Sequence, residues 1–229
     1  HNVEVWDFEV EEFSPKLIKD RVRRFSPLIA GITALTTNIY KVAEIAGAIK
    51  AADPRITVVV GGPHPSALPE RTLEEFPSLD VVVVGEGEET MSEIAERIEG
   101  GNDLAGVKGI AYRKRRPNEE IVREEPRPLI QDLDSLPFPA RDLLKLDLYR
   151  EPSTPGIDAT LHYGTELFTS RGCPESCIFC AASVTLGKKI RFRSSKSVID
   201  EVKECIERFG YTHFTIEDDT FTHHPSRVE

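Results

Sequence analysis

Apolar residues in the first hundred positions gather in short, nearly unbroken runs. Residues 28–33 read Leu-Ile-Ala-Gly-Ile-Thr, 57–60 read Thr-Val-Val-Val, and 80–84 read Asp-Val-Val-Val-Val. Runs this rich in β-branched side chains mark strands covered on both faces, as in a parallel sheet. Between them the period changes. From 38 to 53, Ile39, Val42, Ile45, Ala46 and Ile49 recur three or four positions apart, and Pro54 closes the segment. From 88 to 98, Met91, Ile94, Ala95 and Ile98 do the same. These are the inward faces of helices. Strand, helix, strand, helix predicts a doubly wound α/β sheet. The chain also opens on a strand-like run, Val3-Glu4-Val5-Trp6.

In such a sheet, ligands sit beyond the carboxyl ends of the strands. There the first strand runs into Thr33-Ala34-Leu35-Thr36-Thr37-Asn38, the second into Gly61-Gly62-Pro63-His64-Pro65, and the third into Gly85-Glu86-Gly87-Glu88-Glu89. Glycine lets a backbone approach a ligand closely, and helix N-termini present free N–H groups. Any one of these loops alone reads as a tight turn; all of them on one edge point to a binding site. His64 reads as a loop residue.

Farther on the pattern loosens. Residues 107–112 and 120–122 flank a polar turn and predict a hairpin, whose basic run Arg113-Lys114-Arg115-Arg116 reads as a solvated tip. Prolines then accumulate at 126, 128, 137, 139, 152 and 155, which predicts an inter-domain linker with a short helix over 140–146. Regular pattern returns with a strand at 167–170. A helix follows over about 198–209, with Val198, Val202, Cys205 and Phe209 on one face and Ser197 as its N-cap. A strand at 212–216 ends in Glu217-Asp218-Asp219. Lys188 to Arg193 alternates basic and apolar residues and reads as a surface strand.

Composition narrows the possibilities. The 229 residues include 29 Lys+Arg and 39 Asp+Glu, a net charge of −10, and are 39% hydrophobic. That supports one large or two small globular domains and argues against a disordered chain. An acidic chain without a large basic stripe argues against nucleic-acid binding. No apolar run approaches the ~18 residues of a membrane span, and no secretory signal is visible.

Chemistry concentrates at the cysteines. Of four, three lie in Cys173-Pro174-Glu175-Ser176-Cys177-Ile178-Phe179-Cys180, directly after a strand. That clustering is unlike a secreted disulfide framework and suits a metal or cluster site in a reducing, cytoplasmic setting. Three thiolates can hold three irons of a four-iron, four-sulfur cluster and leave the fourth iron open for chemistry. The alternative is zinc, which in structural sites takes four ligands. Cys205, on a helical core face, is a poor fourth, and His213, His223 and His224 have no finger-like spacing to the cysteines.

The cysteine segment resembles the radical S-adenosylmethionine signature, Cys-x3-Cys-x-aromatic-Cys, with Phe179 in the aromatic place. The strand-end loops resemble those of the Rossmann-like cobalamin-binding domain, which carries Ser/Thr-x-Leu and then a Gly-Gly pair; here Thr33-Ala34-Leu35 and Gly61-Gly62 are separated by residues 36–60. Together the halves resemble cobalamin-binding-domain radical S-adenosylmethionine enzymes. The resemblance implies a 4Fe-4S cluster on Cys173, Cys177 and Cys180, with S-adenosylmethionine near Phe179, Glu217 and Asp218. It implies cobalamin bound around Thr33, Leu35, Gly61, Gly62, Gly85, Glu86 and Gly87. It also implies a small-molecule substrate, a flavodoxin- or ferredoxin-type electron donor, and methyl transfer to carbon or an anaerobic cyclisation. A non-catalytic cobalamin- or zinc-binding module is the competing expectation. The resemblance divides the chain into a cobalamin domain at 1–105 lacking its first strand, a hairpin and linker at 106–160, and the start of a partial (β/α)6 barrel at 161–229. A non-Met start and this truncated pattern suggest a piece of a longer protein.

Overall fold

A computed structural model describes residues 1–114, 120–149 and 164–223. Arg115, Arg116, Pro152, Pro155 and His224 lie outside the described residues. Within the described residues the chain forms two compact units: residues 13–114 and 120–130 with 175–187, and residues 1–12 with 131–149, 164–174 and 188–223.

The first unit is built on strands β1 (Ile29–Thr33), β2 (Thr57–Gly61) and β3 (Val81–Val83), parallel and adjacent. Val58, Val59, Val60, Val81 and Val82 are buried, which is why these stretches are apolar without alternation. The predicted helices are present as α2 (Ile39–Ala52) and α5 (Glu88–Glu99). Ile94 of α5 packs with Val59, Val81, Val83, Val107 and Ile110 in one cluster. The predicted hairpin also forms, as β4 (Ile110–Lys114) and β5 (Glu120–Arg123). It continues the sheet antiparallel to β3, giving the order β1-β2-β3-β4-β5. The buried Ile110, Ala111 and Tyr112 explain its attachment there, beside the sheet and away from the linker.

Helix α1 (Pro15–Phe25) was not anticipated. Ser14 caps it by accepting from Leu17 N at 3.2 Å, Pro15 occupies the first turn, and only Ile18 and Val22 are buried. Leu17, Ile18, Val22 and Phe25 recur at helical spacing behind a Ser-Pro start, so the signal for this helix is present in the sequence. Short helices α3 (Pro63–Ala67) and α4 (Pro69–Glu75) replace what reads as a proline-rich loop. Proline is compatible with a helix's first turn, where the N–H groups lack intrahelical partners. His64 is thus a buried helical residue.

The second unit contains β6 (Gly164–Leu167) paired in parallel with β9 (His213–Ile216), and a short antiparallel pair, β7 (Ser170–Arg171) with β8 (Arg191–Phe192). Between β7 and β8 in sequence, helix α6 (Ala182–Leu186) belongs to the first unit. Crossover helix α7 spans Ser195–Phe209 and is capped by Ser194, not Ser197: Ser194 Oγ accepts from Ser197 N at 3.1 Å. The parallel pair β6–β9, with α7 preceding β9, forms a β-α-β unit. The basic stretch before α7 is not wholly a surface strand, because Arg191 is buried. In place of a helix over 140–146 there are 3-10 turns at Arg141–Leu143 and Leu146–Tyr149. The opening run at 3–6 is not a strand; it pairs with no strand of the sheet. No described helix is long and apolar enough to cross a membrane.

Candidate cofactor sites

The loops after β1, β2 and β3 are tied together at one sheet edge. Ala34 N donates to Gly61 O at 2.8 Å, and His64 N donates to Ala34 O at 3.2 Å. Thr36 Oγ1 and His64 Nδ1 lie 3.1 Å apart. Gly85 N donates to Oγ of the buried Ser66 at 3.0 Å, joining the third loop to α3. Thr33 and Leu35 are exposed here, and Gly87 caps α5, whose N-terminus opens toward the same edge.

The neighbouring glycines differ. Gly62 has φ +103°, and a Cβ there would lie 2.8 Å from Ala34 O and 2.9 Å from Thr33 Oγ1. Its lack of a side chain is needed by the protein's own loop packing before any ligand is considered. Gly61 has ordinary φ, and a Cβ there would meet only Val83 at 3.9 Å. Glu86, expected to face cofactor, accepts from Ile130 N at 2.8 Å. The edge therefore combines close-packed backbone, exposed Thr33 and Leu35, and a helix N-terminus, a donor set that fits the polar tail of a large cofactor.

The cysteine loop leaves β7 through Gly172, at φ +96°. All four thiols are free; Cys173 is half-buried, Cys177 and Cys180 are exposed, and Cys205 is buried. Cys180 N donates to Cys177 O at 3.1 Å, forming a turn that leaves Ile178 and Phe179 (89% accessible) pointing outward. Among the described residues no group of three His, Cys, Asp or Glu side chains is gathered closely enough to hold a metal ion. The thiols share a loop without ligand geometry, yet three accessible, uncrosslinked sulfurs on one short segment are a donor set that fits an iron–sulfur cluster. Cys205 sits in the core of α7, where burial pushes its thiol pKa up, as its reading as a packing residue requires.

Polar contacts at the root of this loop were not legible in the sequence. Asp218 accepts from Thr169 N at 2.6 Å, Ser170 N at 3.0 Å, Ser170 Oγ at 2.7 Å and the Thr169 hydroxyl. Its carboxylate is thus engaged within the protein, whereas Glu217 is exposed, with its N–H donating to Leu167 O at 3.0 Å. Behind them, buried Glu201 bridges two arginines, meeting Arg141 at 2.8 Å and also contacting Arg193. Arg141 donates to Thr165 Oγ1 and Glu166 O, and Arg193 to Phe168 O at 2.9 Å. Each charge finds a partner, as buried charges must.

Comparison with known proteins agrees with this arrangement. Residues 1–95 match the B12 binding domain family. The chain is 37% identical over 228 residues to an uncharacterised methyltransferase of Pyrococcus horikoshii, covering 100% of this chain and 47% of that protein. It is 29% identical over 221 residues to the anaerobic magnesium-protoporphyrin IX monomethyl ester cyclase of Rubrivivax gelatinosus, covering 95% and 38% respectively. The cobalamin-dependent S-adenosylmethionine radical enzyme OxsB, solved with aqua-cobalamin and S-adenosylmethionine, shares the fold with a TM-score of 0.71 at 22% identity, over 93% of this chain and 28% of that one. Strands β1 to β3 and the loops that follow β1, β2 and β3 thus lie within the match to the B12 binding domain family. Over nearly its whole length the chain is thus similar to a methyltransferase and to an anaerobic cyclase, and it spans less than half the length of the relatives named.

Proposed function

We propose that this chain is the cofactor-binding portion of a cobalamin-dependent radical S-adenosylmethionine enzyme that methylates carbon of a small molecule. The observation that carries the reading is the loop of free Cys173, Cys177 and Cys180 emerging from β7, in the same chain as a match to the B12 binding domain family. These cysteines hold a 4Fe-4S cluster. Thr33, Leu35 and the glycines 61, 62, 85 and 87 surround the cobalamin tail. Exposed Glu217 at the end of β9 accepts from the ammonium of S-adenosylmethionine, as a carboxylate suits, and Phe179 packs beside the cluster. When bound, the cluster supplies the electron that cleaves S-adenosylmethionine, and cobalamin supplies a methyl carrier. The protein's own part is to orient these groups and keep water from them. An external one-electron donor of the flavodoxin or ferredoxin type and a reducing, cytoplasmic setting complete the proposal. Similarity to the Rubrivivax cyclase favours a second reading, ring closure without methyl transfer.

Anaerobic reconstitution tests the cofactors. A brown protein with four irons per chain is expected, lost in Cys173→Ala, Cys177→Ala and Cys180→Ala and retained in Cys205→Ala. A colourless protein holding zinc overturns the reading in favour of a non-catalytic module. Methyl-labelled S-adenosylmethionine, supplied to the intact protein, separates methyl transfer from cyclisation.

A further inference from the structure

We propose that Asp218 is a positioning residue that fixes the root of the cysteine loop. This rests on the reading of Cys173, Cys177 and Cys180 as cluster ligands. The parallel ladder between β6 and β9 ends at Leu167 and Ile216, followed by one further bond, Glu217 N to Leu167 O. Beyond that point the chain turns away from β9 to pair with β8, beginning at Ser170. The turn strands two backbone N–H groups and two hydroxyls on Thr169 and Ser170, residues only 2% and 3% accessible. Buried polar groups need partners. The Asp218 carboxylate meets all four, Oδ1 taking both N–H groups and Oδ2 both hydroxyls. From the other side, Arg193 donates to Phe168 O, and Arg193 N to Thr169 O at 2.9 Å. The peptide three residues before Cys173 is thereby held from two directions. An acceptor-only group with two oxygens is what this site needs; an amide offers one acceptor, and alanine none.

Outer partners of metal ligands set ligand orientation, and their loss costs about 10–100-fold in metal affinity. The test uses the intact protein without S-adenosylmethionine, comparing wild type, Asp218→Ala, Asp218→Asn and Thr169→Val. Readouts are chelator sensitivity of the cluster iron, the electron paramagnetic resonance spectrum of the reduced cluster, and amide hydrogen exchange at 169–173 in cluster-free protein. Asp218→Ala is expected to release iron at about tenfold lower chelator concentration, with an altered spectrum and faster exchange. Asp218→Asn restores most of the iron retention, because one oxygen still accepts both N–H groups, while its spectrum stays shifted. Should Asp218→Ala fail to fold, Asp218→Asn and Thr169→Val decide: shifted spectra support the proposal and wild-type spectra overturn it. Wild-type iron retention, spectra and exchange in Asp218→Ala would overturn the positioning role. A wild type that binds no iron removes the cluster reading itself, and the proposal with it.

Discussion

The two units of the chain are held together by opposite means. In the first, an apolar sheet does the work: buried valines of β2 and β3 align three loops, and backbone-to-backbone bonds such as Ala34 N to Gly61 O join them. In the second, short strands of two to four residues carry little buried apolar surface, and charged side chains take over. Arg141, Glu201 and Arg193 clamp β6 to α7, and Asp218 holds the turn into the cysteine loop. The difference teaches what each unit tolerates. An apolar scaffold loses stability in proportion to the volume removed. A charged scaffold fails abruptly when one member is deleted, because its partners are left buried and uncompensated.

The largest effect is expected at the centre of the charged region. Glu201→Ala should destabilise the second unit by about 3–5 kcal/mol, read by denaturant titration together with hydrogen exchange in α7. A loss below about 1 kcal/mol, the scale of an exposed pair, would erase the contrast between the units. The apolar counterpart is Ile94, fully buried against the sheet. Ile94→Ala should cost about 2–5 kcal/mol, with exchange rising in the sheet and not in α7. A response in both units at once would show that they unfold together.

Smaller effects sharpen the reading of the sheet edge. Gly62→Ala, forced into positive φ against Ala34 O, should cost about 1–3 kcal/mol and weaken hydroxocobalamin binding as the loops separate. Gly61→Ala has ordinary φ and open space, so stability should change by no more than about 0.5 kcal/mol. If Gly61→Ala alone abolishes binding, the cofactor lies directly on Gly61, and Gly62 serves the loop packing. The mildest test leaves the sequence intact. Brief alkylation of cluster-free protein, followed by mass spectrometry, should label Cys173, Cys177 and Cys180 and spare Cys205, which is buried with a raised thiol pKa. Rapid labelling of Cys205 would mean that the core of α7 opens readily.

By itself the sequence determined the elements whose signal is local. Unbroken valine runs could only be doubly covered strands, three- and four-residue spacing placed α2 and α5, and Cys-x3-Cys-x2-Cys after a strand announced a thiol-bound cofactor. Helices α3 and α4 are too short, at five and seven residues, to show a period, whereas α1 carries a clear one in Leu17, Ile18, Val22 and Phe25 behind a Ser-Pro start. The tertiary structure alone decided that the hairpin extends the sheet, that Gly62 serves loop packing first, and that Asp218 and Glu217 have different surroundings. It also brought Asp218 to Thr169 and Ser170 across 48 and 49 residues of chain, and Glu201 to Arg141 and Arg193. The physical reason is the range of the signal. Hydrophobic burial is read residue by residue along a strand or helix, whereas a carboxylate's partner is chosen only after the chain has folded back and left particular N–H groups and guanidiniums without water.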